Sequence, residues 1–226
     1  LTKRGLIYLS VDFRTGEAVQ SLCVCDVIGA KRVLFLTKKK AISSIQDDYD
    51  LLNPDFSITI INYESLPKID SSLYDVVICD EAHGMGAYPK PSKRAKDVKS
   101  LIQINKNPYV ILLSGTPTPE SYSQMYHQVS VMRKHPFDEF KTFYKFAKKY
   151  VDIKQRKINS FMINDYSGGL DTIISEMNPH TLAYTQKEAG FKVQTTEHVI
   201  EVDMLPITYK LASKLKKDLV IEGKED

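Results

Sequence analysis

Five short apolar runs, rich in β-branched residues, punctuate the first half of the chain: Gly5 to Val11, Arg32 to Leu36, Ser57 to Ile61, Tyr74 to Cys79 and Tyr109 to Leu113. Each is nearly continuous rather than alternating and is bounded by turn-forming or charged residues, which is the pattern of strands covered on both faces. Helix-length segments separate several of them, at Glu17 to Val27, Lys39 to Leu52 and Ser92 to Ile104. Strand and helix in alternation predict an α/β fold built on a doubly wound parallel sheet. In such sheets ligands bind beyond the carboxyl ends of the strands, so the loops that follow each strand are where chemistry is expected.

From about Ser130 the pattern changes. Phe137, Phe140, Phe143, Tyr144, Ala147 and Val151 recur at helical spacing, with Lys141, Lys145, Lys148 and Lys149 between them, and predict a basic amphipathic helix. Asp165 to Gly169 predicts a turn, Thr181 to Tyr184 and Lys192 to Met204 predict strands, and Pro206 opens a lysine-rich final helix. The chain therefore divides, on sequence, into a first lobe over 1–131, a helical and β extension over 132–205, and the start of a linker helix over 206–226.

With 226 residues, 42% of them hydrophobic, the chain can bury a substantial core. It has no apolar stretch of membrane-spanning length and no signal-like opening, so a cytoplasmic, non-secreted protein without a membrane partner is expected. Cys23, Cys25 and Cys79 lie in apolar segments without the paired spacing of a zinc site and read as small buried hydrophobes. The net charge is only +3, but Tyr88 to Lys99 sets Lys90, Lys93, Arg94, Lys96 and Lys99 against Asp97 alone. That patch suits a polyanion, and equally a solvated charged face.

The most specific signal is Val76 to His83, an apolar strand ending in Asp80-Glu81-Ala82-His83. A strand-end aspartate can hold Mg²⁺ over the β- and γ-phosphates of a nucleotide, and the next carboxylate can orient or deprotonate an attacking water. Asp80 is thus the candidate metal residue and Glu81 the candidate base, with His83 beside them. About thirty residues on, Leu112 and Leu113 lead into Ser114-Gly115-Thr116-Pro117, again a strand running into small hydroxylated residues.

In this pairing the chain resembles the superfamily-2 helicases of the Swi/Snf-like branch, and the likeness covers nearly its whole length. Arg32 to Lys38 resembles the strand and loop that touch a nucleic-acid backbone in that family, although proline is usual at the position of Thr37. Ile60 to Glu64 and Ser92-Lys93 also resemble that branch, and the segment Glu197 to Tyr209 is similar to its exit from the first lobe. Arg14-Thr15-Gly16 and Gly115 to Ser121 are worded like phage-encoded members. The resemblance implies a RecA-like P-loop NTPase fold, ATP and Mg²⁺ as ligands, and duplex DNA as the track. It also implies coupling of the two through Ser114, Gly115 and Thr116, with nucleic-acid contacts at Thr37, Lys38, Lys39, Tyr63, Lys93 and Arg94. A second RecA-like lobe would complete the site, and the residues after Met204 are expected to be too few to supply it.

One departure stands out. The phosphate loop of that family ends in glycine, lysine and a hydroxyl residue, whereas Arg14-Thr15-Gly16-Glu17-Ala18 keeps only the glycine. Glu17 inverts the charge that should meet the phosphates and Ala18 removes a Mg²⁺ ligand, with Arg14 and Thr15 the nearest substitutes. Opposite unit charges about 4 Å apart attract by roughly 4 kcal/mol at an effective dielectric of 20, so a sign change is costly and ordinary ATP turnover is not expected. Two main readings follow: the ATP-binding lobe of a helicase or translocase, or a catalytically inactive nucleic-acid-binding module of the same fold. An unrelated P-loop kinase fits the pairing of the two motifs less well.

Overall fold

The computed structural model describes residues 5–12, 15–69, 73–105, 108–158, 161–190, 200–201 and 203–218. It divides into two units, Leu1–Phe191 and Lys192–Asp226. In the first, six parallel strands form one sheet in the order β3-β2-β4-β5-β1-β8. They are β1 (Leu6–Val11), β2 (Arg32–Thr37), β3 (Ser57–Asn62), β4 (Val76–Cys79), β5 (Tyr109–Leu113) and β8 (Thr181–Tyr184).

The continuous apolar runs are explained by what covers each face. Leu9, Val33, Phe35, Val76, Ile78, Ile111 and Leu113 pack on one side with Leu22 and Cys25 of α1 (Glu17–Val27) and Ile45 of α2 (Ile42–Leu52). The alternate residues Leu6, Tyr8, Leu34, Leu36, Val77, Cys79, Val110 and Leu112 pack on the other. They meet Val98, Leu101 and Ile102 of α3 (Lys93–Ile104), Met125 and Val129 of α4 (Met125–Val129), and Phe143 and Phe146 of α5 (Phe143–Tyr150). Helices on both faces make the sheet doubly wound, as the strand and helix alternation predicts.

The region after α4 differs in detail from the sequence pattern. The amphipathic helix begins only at Phe143, where the Thr142 side chain accepts a hydrogen bond from the Lys145 N–H, 3.3 Å away, and caps it. Phe137 nevertheless stays in the core, edge-on to Phe146 and Tyr150. Val151, expected to finish the helix, opens β6 (Val151–Ile158), which pairs antiparallel with β7 (Phe161–Gly169). The turn expected at Asp165 to Gly169 is therefore strand. Glycine is needed there for proximity: a Cβ on Gly168 would lie 2.5 Å from the Asp152 carbonyl oxygen, and one on Gly169 would lie 2.5 Å from the Ser123 nitrogen.

A short helix α6 (Thr172–Met177) leads into β8. In the second unit α7 (Pro206–Asp218) starts at the predicted proline. Most of the strand expected over Lys192 to Met204, residues 192–199 and 202, lies outside the described residues. Among the described residues no helix is long and apolar enough to cross a membrane.

Candidate functional site

The parallel arrangement brings the residues after β1, β2, β4 and β5 to one edge of the sheet. Asp80 follows β4 and is held from three directions. Its Oδ2 accepts the Thr37 hydroxyl proton at 2.6 Å and its Oδ1 accepts the Glu81 N–H at 2.9 Å. Its main-chain carbonyl accepts the Tyr63 hydroxyl proton at 2.6 Å. Burial raises the Asp80 carboxyl above the usual aspartate range, with the Thr37 hydrogen bond opposing and the neighbouring Glu81 charge adding to the rise.

Glu81 sits in the left-handed backbone region, at φ 50° and ψ 45°. For a residue with a Cβ this conformation costs of order 1 kcal/mol. It ends the strand sharply and turns the Glu81 side chain between two basic groups. Oε1 lies 2.5 Å from Lys38 Nζ, and Oε2 lies 3.3 Å from His83 Nδ1. The same His83 nitrogen lies 2.9 Å from Ser114 Oγ, which accepts the Thr116 N–H at 3.2 Å. With its proton on Nδ1, His83 donates toward both the acidic pair and the end of β5. The DEAH residues and the Ser-Gly-Thr segment are thus one hydrogen-bonded system.

The glycine bend lies on the same edge. Gly16 adopts φ 82° and ψ 36° at the N-terminus of α1, open to solvent, with no side chain capping the helix. The Thr15 hydroxyl, a possible substitute ligand, donates instead to the Asp12 carbonyl at 2.7 Å. Arg14, the other substitute, lies outside the described residues. Ala18 is partly buried against the α1 face of the core.

Glu17 takes the first helical position. A carboxylate there is normally favoured by the helix dipole, by about 0.3–1 kcal/mol. Here the balance goes the other way: Glu17 is pushed up to about 7 from 4.5, first by burial and then by the charges of Asp80 and Glu81. Three carboxylates therefore share one field, with Lys38 the cation paired into it.

The expected nucleic-acid residues split into two groups. Thr37 and Tyr63 are buried and spend their hydroxyls on Asp80, so they line the acidic pair and present no side chain to a track. The basic residues are mostly engaged by this chain's own carboxylates. Lys38 is on Glu81, Lys93 is 2.6 Å from Asp97, and Arg94 is 2.7 Å from Glu64 while lying over the Tyr63 ring at 5.2 Å. Lys39, in the turn before α2, has no ion-pair partner among the described residues.

Sequence reasoning missed Tyr8 and Gln128. The Tyr8 hydroxyl, fully buried on β1, donates to Gln128 Oε1 at 2.7 Å, and Gln128 Nε2 donates to the Pro117 carbonyl at 2.8 Å. This pair ties β1 to the segment after Thr116. A glutamine inside a five-residue helix gives no sequence signal for such a role.

A model of the SNF2-related domain matches residues 19–210. The chain is also similar to the SWI/SNF-related matrix-associated actin-dependent regulator of chromatin subfamily A-like protein 1 of Xenopus laevis, at 23% identity over 177 residues. That alignment covers 69% of this chain and 18% of the relative. The Bos taurus protein of the same name is 24% identical over 165 residues, covering 63% of this chain and 17% of its own length. The chain thus spans less than a fifth of the relatives it matches.

Proposed function

The chain belongs to the SNF2-related domain family, and from that premise we propose that it is the nucleotide-side lobe of a helicase or translocase acting on duplex DNA, with a phosphate loop that no longer holds ATP unaided. The assembled half of the site supports the first part. Asp80 is desolvated and oriented by Thr37, and Glu81, His83 and Ser114 link it to the next strand.

The two ligands of the family fit this edge unequally. A divalent cation suits the field of Asp80, Glu81 and Glu17, and Asp80 is the residue that would hold Mg²⁺, which would neutralise phosphate charge. A triphosphate does not suit the loop, because Glu17 stands at the helix N-terminus where anions bind and adds a like charge to the acidic pair. That single placement carries the proposal that nucleotide binding is weak. An arginine-bearing second lobe would be needed for hydrolysis in any case.

Glu17→Lys combined with Ala18→Thr is the direct test. The double variant is expected to bind a fluorescent ATP analogue with Mg²⁺ at least tenfold more tightly than the parent chain. Equal, measurable binding by both proteins would show that the loop is competent as it stands. A second reading, a nucleic-acid-binding module without ATP chemistry, is favoured by the same Glu17. It requires duplex binding that weakens with salt and is indifferent to nucleotide.

A further inference from the structure

The cations at the sheet edge are largely neutralised, but a different set is not. A pocket of about 310 Å³ opens between the loop before α3, α3 itself, α4 and the start of α5. Lys90, Lys96, Lys99 and Lys141 stand around it, and no carboxylate lines it. Lys96 and Lys99 are three apart on α3 and share a face. Among the described residues none of Lys90, Lys96 and Lys99 forms an ion pair, and Lys141 donates only to the Asp138 carbonyl at 3.2 Å.

The floor is aromatic. Tyr126, His127 and Phe143 are buried beneath it, with the His127 and Phe143 rings stacked at 5.7 Å. His127 is held below its usual range by burial, with its hydrogen bond to the Pro89 carbonyl opposing and the Lys99 charge adding to the effect. Tyr144 remains 48% exposed at the rim. Its ring is fixed edge-on to Phe143 at 6.2 Å and to Tyr166 at 5.9 Å.

We propose that this pocket takes an unpaired nucleotide of a DNA strand, with its base against Tyr144 and its phosphate among Lys90, Lys96 and Lys99. The inference deepens the reading of the chain as a DNA-acting lobe and rests on it for the polymer. The shape argues for an unpaired unit: a concave site of this volume admits one base and one phosphate, whereas a duplex keeps its bases stacked inside. The chemistry is that of single-strand sites, which combine unneutralised lysines with an aromatic face.

The experiment compares a blunt duplex, the same duplex with a single-stranded overhang, and the single strand alone, each labelled, at two salt concentrations. The overhang is expected to bind the parent chain roughly tenfold more tightly than the blunt duplex. Tyr144→Ala should abolish that increment and leave blunt-duplex affinity unchanged, and separately Lys96→Ala with Lys99→Ala should abolish the increment by weakening overhang and single-strand binding by a larger factor than blunt-duplex binding. The lysine pair should also lower the salt dependence of single-strand binding by about 1.4 in the log–log slope. These side chains are exposed, so thermal unfolding of the variants should match the parent and exclude misfolding.

Equal binding of blunt and overhanging duplex, or parallel weakening of both by the variants, overturns the proposal. So does displacement of the single strand by polyglutamate at matched charge, which would assign the pocket to an acidic protein segment. Lysine-dependent binding of the single strand without any blunt-duplex binding would keep the pocket and sink the duplex reading instead. Failure of all three DNAs to bind overturns both.

Discussion

Replacing Glu17 by glutamine isolates the electrostatic conflict at the phosphate loop, because the amide keeps the shape of the protonated acid. Glu17 rises to about 7 in the folded protein from an ordinary 4.5, so between these pH values the folded chain keeps a proton that the unfolded chain has released. Folding stability therefore falls as pH climbs through that window, and the full cost is present above about 7. At face value the displacement corresponds to roughly 3 kcal/mol. Glu17 is only half-buried and solvent screens its neighbours, which reduces the cost to about 1.5 kcal/mol. Loss of a carboxylate from the first turn of α1 gives back about 0.5 kcal/mol.

Glu17→Gln should then be about 1 kcal/mol more stable than the parent at pH 8, a rise of roughly 2–4 °C in Tm for a domain of this size. The gain should shrink to nothing well below pH 4.5, where the acid is neutral in both folded and unfolded chains. Thermal melts followed by circular dichroism from about pH 3.5 to pH 8 measure this. A gain of equal size at both ends of the range, or none at pH 8, would refute the claim that burial and the charges of Asp80 and Glu81 hold Glu17 above its ordinary range.

Two further substitutions probe the supports of the site. Gln128→Leu removes the acceptor of the buried Tyr8 hydroxyl, leaving it Ser114 alone, and leaves the Pro117 carbonyl short of a donor; urea denaturation should register a loss of about 1–2 kcal/mol. If stability is unchanged, water or another donor replaces Gln128. Gly169→Ala forces a methyl against the Ser123 backbone and should cost about 1–3 kcal/mol. Hydrogen exchange should speed up over β6 and β7 while the parallel sheet keeps its protection, and uniform acceleration would show that the hairpin is not anchored there.

The six-stranded sheet was largely legible in the sequence because a strand buried on both faces needs apolar residues at nearly every position, as Val76 to Cys79 and Tyr109 to Leu113 have. The β6–β7 hairpin was not, since both faces of its distal end meet solvent: Phe161, Met162 and Ile163 are exposed one after another, which erases any alternation. At the site, Asp80 and Glu81 stand out in the sequence as adjacent carboxylates at a strand end, whereas His83 and Ser114 are singled out by the family resemblance; the structure brings His83 to both Glu81 and Ser114. The contacts of Thr37 and Tyr63 were not legible, because a hydroxyl that reaches the Asp80 carboxylate or the Asp80 carbonyl from another strand or turn leaves no local pattern. Lys38 shows the same limit, since its partner Glu81 is revealed only by the pairing of β2 with β4.

The strand order has a mechanical implication. Gly16 follows β1 and Asp80 follows β4, and β5 runs between them, so the two halves of the edge are separated by two inter-strand spacings, about 10 Å. Ser114 caps that middle strand and touches His83 on one side, while the chain beyond it leads through Pro117 to Gln128 and Tyr8 of β1 on the other. A change in the position of Ser114 would therefore disturb hydrogen bonds on both banks at once.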